Sequence, residues 1–401
     1  MTRTGKQIFW IVVGAVLLLL LVGFAVGPTV VGRSMNKVVA ATYPEVTPEV
    51  ARLQATLDVA DLHSDVLLWN RDILERGSYG HVDVPRLIEG RVALQAFTVV
   101  TKTPRKMNYD ANTGDSDNIT LLAVLEAWPI DTWSSLLERA IFQADKLRKA
   151  AERSNGTLTL IENRADLEAY LRRRAETPDI TAGFLGLEGA HALEGEVDNV
   201  DRLYQAGFRM IGLTHFFDNE VGGSAHGVSK AGITPFGREV LRRMGELHMM
   251  VDLAHASPAL IDDALALARG PVIVSHTGVK GTCDRTRNLS DGHLRAVAAT
   301  GGVVGIGLWE EALCGETPAD WARAVRHAAD VAGVEHVALG SDWDGATTAI
   351  VDAAGTVHLT QALRDAGFTD DEIRAIMGGN VIRVLRTGLP PGEGAEAPDT
   401  M

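Results

Sequence analysis

Eight short apolar runs, each followed by a stretch of helical periodicity, constrain this chain more than any other feature of its sequence. They fall at residues 59–62, 93–100, 182–187, 210–214, 249–254, 272–275, 302–307 and 337–340. Each is apolar nearly throughout rather than alternating, the pattern of parallel strands covered by helices. The intervening segments repeat apolar residues at helical spacing; in 258–268 these are Leu260, Ile261, Ala264, Leu265 and Leu267. Eight strand–helix units without a break predict an α/β fold, a (β/α)8 barrel rather than a doubly wound sheet. The crossover 101–180 is too long for one helix. It is expected to hold two helices and an irregular stretch, 102–117, lying over the barrel mouth.

The barrel is expected to occupy residues 49–389 as one domain, with 46% hydrophobic residues in the chain to build its core. A net charge of −14 argues against a nucleic-acid partner. Residues 8–32 carry no charge and include five consecutive leucines, Leu17 to Leu21, a length that suits a transmembrane helix. With Arg3 and Lys6 before it and Arg33 and Lys37 after it, the segment reads as an uncleaved signal-anchor behind a short tail, 1–7. Ala40-Ala41 is the alternative, a cleavage position. Membrane lipid is then a partner, and the barrel domain is expected on the extracytoplasmic, periplasmic side. Residues 33–48, with Pro44 and Pro48, read as a linker, and 390–401 as a disordered tail. Cys283 and Cys314 permit one bridge, and their spacing leaves the pairing open.

In such a barrel, chemistry collects where the strands end. The first run ends in His63-Ser64-Asp65, where alternation puts His63 and Asp65 on one side and Ser64 on the other. The third ends in Glu188-Gly189-Ala190-His191, the fourth in His215, the fifth in His255, the sixth in His276, and the eighth in Ser341-Asp342. Four of twelve histidines thus sit at strand ends beside carboxylates. These are divalent-metal donors, and more of them than one catalytic zinc takes. They suit two ions, bridged by Glu188, with His63 and Asp65 completing one and His255 and His276 the other. A water between the ions would serve as nucleophile, and Asp342 would accept or relay its proton. After the sixth strand, Arg285 and Arg287 flank the site; a guanidinium fork suits an anionic end of a substrate.

These residues stand in six ordered motifs: DLHSD, GLEGAH, GLTHFFDN, VDLAHAS, VIVSH followed by Arg287-Asn288, and LGSDWDG. Together they resemble the zinc-dependent membrane dipeptidases over residues 58–387. The resemblance implies a binuclear zinc barrel, two Zn2+ per subunit, that hydrolyses dipeptides with free amino and carboxyl ends, D-residues at the carboxyl end included. On it, His63, Asp65, Glu188, His255 and His276 match the zinc ligands, with Glu188 bridging. His215 matches the residue that contacts the scissile carbonyl, Arg287 the one that binds the substrate carboxylate, and Asp342 the acid near the nucleophile and the substrate amine. Family members are often dimers, so a homodimer is among the assemblies implied.

The chain also departs from the animal enzymes. Leu308-Trp309-Glu310-Glu311 replaces their asparagines and tyrosines, and Val66-Leu67 their Leu-Pro. The run 218–227 looks like the bacterial branch, with His226 a candidate pocket residue and His191 a candidate to orient Glu188 from behind. The competing readings are a binuclear barrel hydrolase acting on cyclic amides, lactams or phosphoesters, and a non-catalytic binding protein of this fold. His63-Ser64-Asp65 counts against the first, because many such hydrolases begin with two histidines. The complete ligand set counts against the second.

Overall fold

The eight apolar runs form eight parallel strands: β1 (Val59–Ser64), β2 (Val92–Val100), β3 (Thr181–Glu188), β4 (Phe208–Gly212), β5 (Met250–Asp252), β6 (Ile273–Thr277), β7 (Val303–Ile306) and β8 (Val337–Leu339). Hydrogen bonding runs β2–β1–β8–β7–β6–β5–β4–β3, and β2 pairs again with β3 from Leu94↔Ala182 to Val100↔Glu188, which closes the ring. This is the expected barrel. The computed structural model describes residues 3–39 and 43–392, apart from the side chains at 16, 19, 20 and 25. Ala40-Ala41 and residues 393–401 of the expected tail lie outside them.

Every residue of β1, β2 and β3 is buried, which explains their near-continuous apolar sequence. Outward side chains such as Phe97, Leu187 and Val304 pack on the surrounding helices. Ala60, Leu94 and Met210 form a second cluster with Val381 and Leu385 of the helix Asn380–Gly388. Four helices open on a Ser/Thr-Pro pair: Thr47-Pro48, Thr234-Pro235, Ser257-Pro258 and Thr317-Pro318. In each, the hydroxyl accepts a backbone N–H of the first turn and proline takes a position that needs no donor. The long crossover contains more than two helices: Ile119–Leu125, Leu136–Arg153 and Arg164–Glu176, with a short strand Leu158–Leu160 beside β3. Residues 101–118 are irregular, and Thr103, Met107 and Tyr109 from them line the central cleft.

The apolar amino-terminal stretch forms a 33-residue helix, α1 (Arg3–Met35). Among the described residues, which omit four side chains of that stretch, no helix is long and apolar enough to cross a membrane, so the expected span over 8–32 is not supported. The carboxyl end of α1 bears on the folded domain. A Cβ at Gly27 would sit 3.1 Å from Leu125 of α2 (Ile119–Leu125), and Gly32 faces the Tyr79 ring. The Arg33 guanidinium donates to the Ser78 hydroxyl (2.9 Å). Beyond the helix, Ala346 N–H donates to the Asn36 side chain (2.9 Å), and Lys37–Val38 pairs in parallel with Thr348–Ala349. Tyr43 OH donates to the Ile350 carbonyl (2.6 Å). The stretch read as a linker is therefore stitched to the loop that follows β8.

Cys283 and Cys314 are joined by a disulfide, tying the loop after β6 to the short helix Glu310–Leu313 after β7. Their 31-residue separation corresponds to about 3–4 kcal/mol in the chain-entropy model. The Cys283→Ser/Cys314→Ser variant should lose stability of that order in urea unfolding, and reduced wild-type protein should match it. Equal midpoints for oxidised wild type and variant would contradict a stabilising bridge.

Candidate metal centre

The carboxyl-terminal ends of the strands converge on Glu188, the last residue of β3. Its Oε1 lies 3.1 Å from His255 Nε2, 3.4 Å from His63 Nε2 and 3.5 Å from His276 Nε2. Its Oε2 lies 3.3 Å from His215 Nε2. Asp65 is beyond the end of β1, where the chain turns (φ −93°, ψ 26°), yet its Oδ2 returns to 3.4 Å from His63 Nε2. Three overlapping sets of three donors result: His63, Glu188 and His276; Glu188, His215 and His255; and His63, Asp65 and Asp342. Glu188 and His63 each belong to two sets. The grouping differs from the expected division into His63/Asp65 and His255/His276, because His215 and Asp342 come as close as those four.

Local backbone enforces this convergence. Gly189 has φ +93°, and a Cβ there would overlap the His191 ring, so the turn behind Glu188 admits only glycine. His255 and Asp342 both take φ +61°, a conformation that residues with a Cβ adopt seldom and that clusters at functional sites. Asp65 Oδ1 accepts from the Thr98 hydroxyl (2.6 Å). The Ser275 hydroxyl donates to Asp252 Oδ2 (2.6 Å) and lies 3.1 Å from His63 Nδ1 and 3.0 Å from His276 Nδ1. With its proton committed to Asp252, Ser275 has two lone pairs left, one for each Nδ1–H. That accounts for both Nδ1–H groups and turns both Nε2 atoms toward Glu188.

Burial, and then Asp65, raises the Glu188 carboxyl well above its usual range. Burial raises Asp342 to about 8. Burial also pulls His63 down, but Asp65 and Glu188 together outweigh it and lift His63 to about 10. His215, His255 and His276 are driven well below the imidazole range by burial. Neutral imidazoles thus crowd carboxylates that repel one another, and His63 Nε2 has no hydrogen-bond partner. Divalent cations answer both conditions, and the imidazole–carboxylate donor set fits them.

The cleft above the donors has a volume of about 450 Å³. Arg287 lines it, buried, its Nη2 donating to the His276 carbonyl (2.7 Å) and its Nε unbonded. Among the described residues it forms no ion pair. Arg285 instead sits half-exposed near Glu310 (3.8 Å) and Glu311 (3.7 Å), away from the cleft. His191 reaches Thr101 Oγ1 (2.9 Å) rather than Glu188, and burial lowers it to about 3. His226 stacks on the cleft-lining Phe216 (4.6 Å) and is not itself part of the wall.

A sequence model of the family described as "Membrane dipeptidase (Peptidase family M19)" matches residues 48–388. The chain belongs to the membrane dipeptidase family. It is thereby a dipeptidase, a hydrolase acting on peptide bonds. An uncharacterized dipeptidase of Schizosaccharomyces pombe is 28% identical over 327 residues, 78% of this chain and 73% of that one. The dipeptidase aclJ of Aspergillus oryzae is 27% identical over 352 residues, 82% of this chain and 77% of that one. These relatives are fungal, so the bacterial-branch reading of 218–227 is not supported. Among solved structures, a metallo peptidase from Rhodobacter sphaeroides, liganded with a phosphinate mimic of the dipeptide L-Ala-D-Ala, shares the fold. Its TM-score is 0.69 at 23% identity, covering 83% of this chain and 99% of that one.

Sequence reasoning missed part of this dipeptidase's site. Thr98, Asp252 and Ser275 hold the donors from behind, and Tyr109 and Trp309 line the cleft. One signal was available: Gln95 and Thr98 are the only polar residues in the run 93–100. Ser275→Ala should weaken metal binding by about 10–100-fold, measured by competition with a chelator. Unchanged affinity would remove Ser275 from the support of the site.

Proposed function

We propose that this membrane dipeptidase hydrolyses dipeptides with free ends using two zinc ions, held by His63, Asp65, Glu188, His255 and His276 with Glu188 between them. The observation that carries the reading is one buried carboxylate ringed by four imidazoles at the foot of a small cleft with one unpaired guanidinium. Bound divalent ions would supply Lewis acidity and an activated water. The remaining work falls to side chains. Arg287, buried without an anionic partner, holds the substrate carboxylate through a charge-assisted fork. His215 stabilises negative charge growing on the scissile carbonyl oxygen. Asp342 accepts a proton at its carboxylate and hands it to the leaving amine. Substrates with a D-residue at the carboxyl end belong to the proposal, as does a homodimer, testable by light scattering.

The disulfide supports an oxidising, extracytoplasmic compartment. Exposed Ile8, Trp10, Ile11, Leu18 and Leu21 on α1 support attachment to a lipid surface. Full-length protein should fractionate with membranes and need detergent for release; recovery in the soluble fraction would refute attachment. The test of function is a panel of dipeptides, their amides and tripeptides, with L and D carboxyl-terminal residues. Cleavage of dipeptides alone, lost with chelator and restored by zinc, is expected; equal cleavage of the amides would refute the reading. Arg287→Ala should raise KM about 10-fold or more with little change in kcat, since the carboxylate contact is made in ground and transition states alike. An unchanged KM would take Arg287 out of the site.

A further inference from the structure

The donors occupy only the floor of the cleft. Its charged lining side chains are Asp65, Glu188, Arg287 and Asp342, all at that floor. The outer wall is formed by Leu68 after β1, by Leu121, Leu122 and Leu125 of α2, and by Val31 and Met35 of α1. Met35 and Leu121 are 44% and 59% exposed, whereas His63 is fully buried, so these residues stand at the entrance. Two polar side chains of the lining are satisfied locally: Asn118 Nδ2 donates to the Pro104 carbonyl (3.1 Å) and Thr347 Oγ1 to the Asp342 carbonyl (2.9 Å). Val31 packs on the Leu68–Trp69–Val100–Ile119 cluster beneath the wall. The stitched segment from Gly32 to Val38 holds that end of α1 against the loop bearing Asp342, Gly345 and Ala346. A volume of about 450 Å³ lies in the range that buries drug-sized ligands, roughly 300–1,000 Å³.

We infer that this outer chamber is a subsite for an aliphatic side chain of the dipeptide, and that Val31 and Met35 of α1 are specificity-determining residues. The inference rests on the dipeptidase reading above. The amino-terminal helix then does two things: it presents apolar surface outward and completes the wall of the substrate site.

The test uses full-length protein and dipeptides whose one variable side chain lengthens from alanine through norvaline and norleucine to 2-aminooctanoate. Burial of each added methylene should raise kcat/KM by about fourfold until the chamber is filled. Met35→Glu places a charge at the exposed rim of the wall and Val31→Asp at its partly buried part, and both should flatten that series. The ratio of 2-aminooctanoate to alanine substrate within each protein is the readout, so a general loss of activity does not mimic the effect. A flat series in wild type that still cleaves Ala-Ala overturns the subsite. Parallel slopes in wild type and both variants overturn the role of α1. Absence of any dipeptide cleavage in wild type is a different outcome; it refutes the underlying reading, and the subsite falls with it.

Discussion

Glu188→Gln is expected to reduce turnover by at least about 10³-fold, the scale on which losing one transition-state charge stabiliser acts, and to lower bound metal. Glutamine keeps the shape of the side chain but replaces an anionic oxygen by an amide donor. Three imidazole nitrogens lie within 3.5 Å of Oε1 and a fourth 3.3 Å from Oε2. An amide group aimed at those nitrogens gives up the charge that draws cations there and offers a hydrogen where a lone pair is needed. The substitution also removes the buried acid that Asp65 repels, so the metal-free variant should be at least as stable as metal-free wild type. Metal analysis by mass spectrometry and melting with chelator separate loss of the site from loss of the fold. A folded variant with full metal content and wild-type rate would show that Glu188 does not bridge.

His215→Ala is expected to lower kcat by about 10²–10³-fold, the cost of removing one oxyanion donor. The structure poses a sharper question here than the motif does. His215 Nε2 stands as near Glu188 as His63 does, 3.3 Å against 3.4 Å, so proximity alone allows it to be a metal ligand. The two roles diverge in one measurement. A stabiliser of the carbonyl oxygen leaves metal content unchanged and lowers kcat with little change in KM. A ligand lowers metal content along with rate. Loss of half or more of the bound metal in His215→Ala would reassign it to the ion.

The barrel was legible because burial of strands on both faces leaves near-continuous apolar runs, and helical spacing between them excludes hairpins. The donors were legible because topology sends every strand end to one face, so residues far apart in sequence become neighbours by rule. What lay behind them was not. Thr98, Asp252 and Ser275 are small polar residues whose sequence context resembles that of any buried hydroxyl or carboxylate; only the three-dimensional arrangement puts Ser275 between two imidazoles. The Cys283–Cys314 bridge depends on β6 and β7 being neighbours in the ring, which the spacing does not encode. The docking at the end of the apolar stretch 8–32 was hidden for a related reason. Leucine and valine read alike whether they meet lipid or protein, and the docking of Gly27 and Gly32 is a property of their partners, Leu125 and Tyr79.

The stitching of the amino-terminal segment to the loop after β8 also sets a clock. Ser341 Oγ donates to the His63 carbonyl (2.8 Å) across 278 residues of sequence, and Lys37–Val38 finds its partner only at Thr348–Ala349. A chain emerging from the ribosome exposes its first donors early and its last ones near the end. Closure of the ring, the metal site and the entrance wall all wait for the same late stretch, since contacts of such separation form slowly. A nascent chain that has not yet reached residues 337–349 therefore lacks the closed ring, Asp342 and the anchor of the entrance wall.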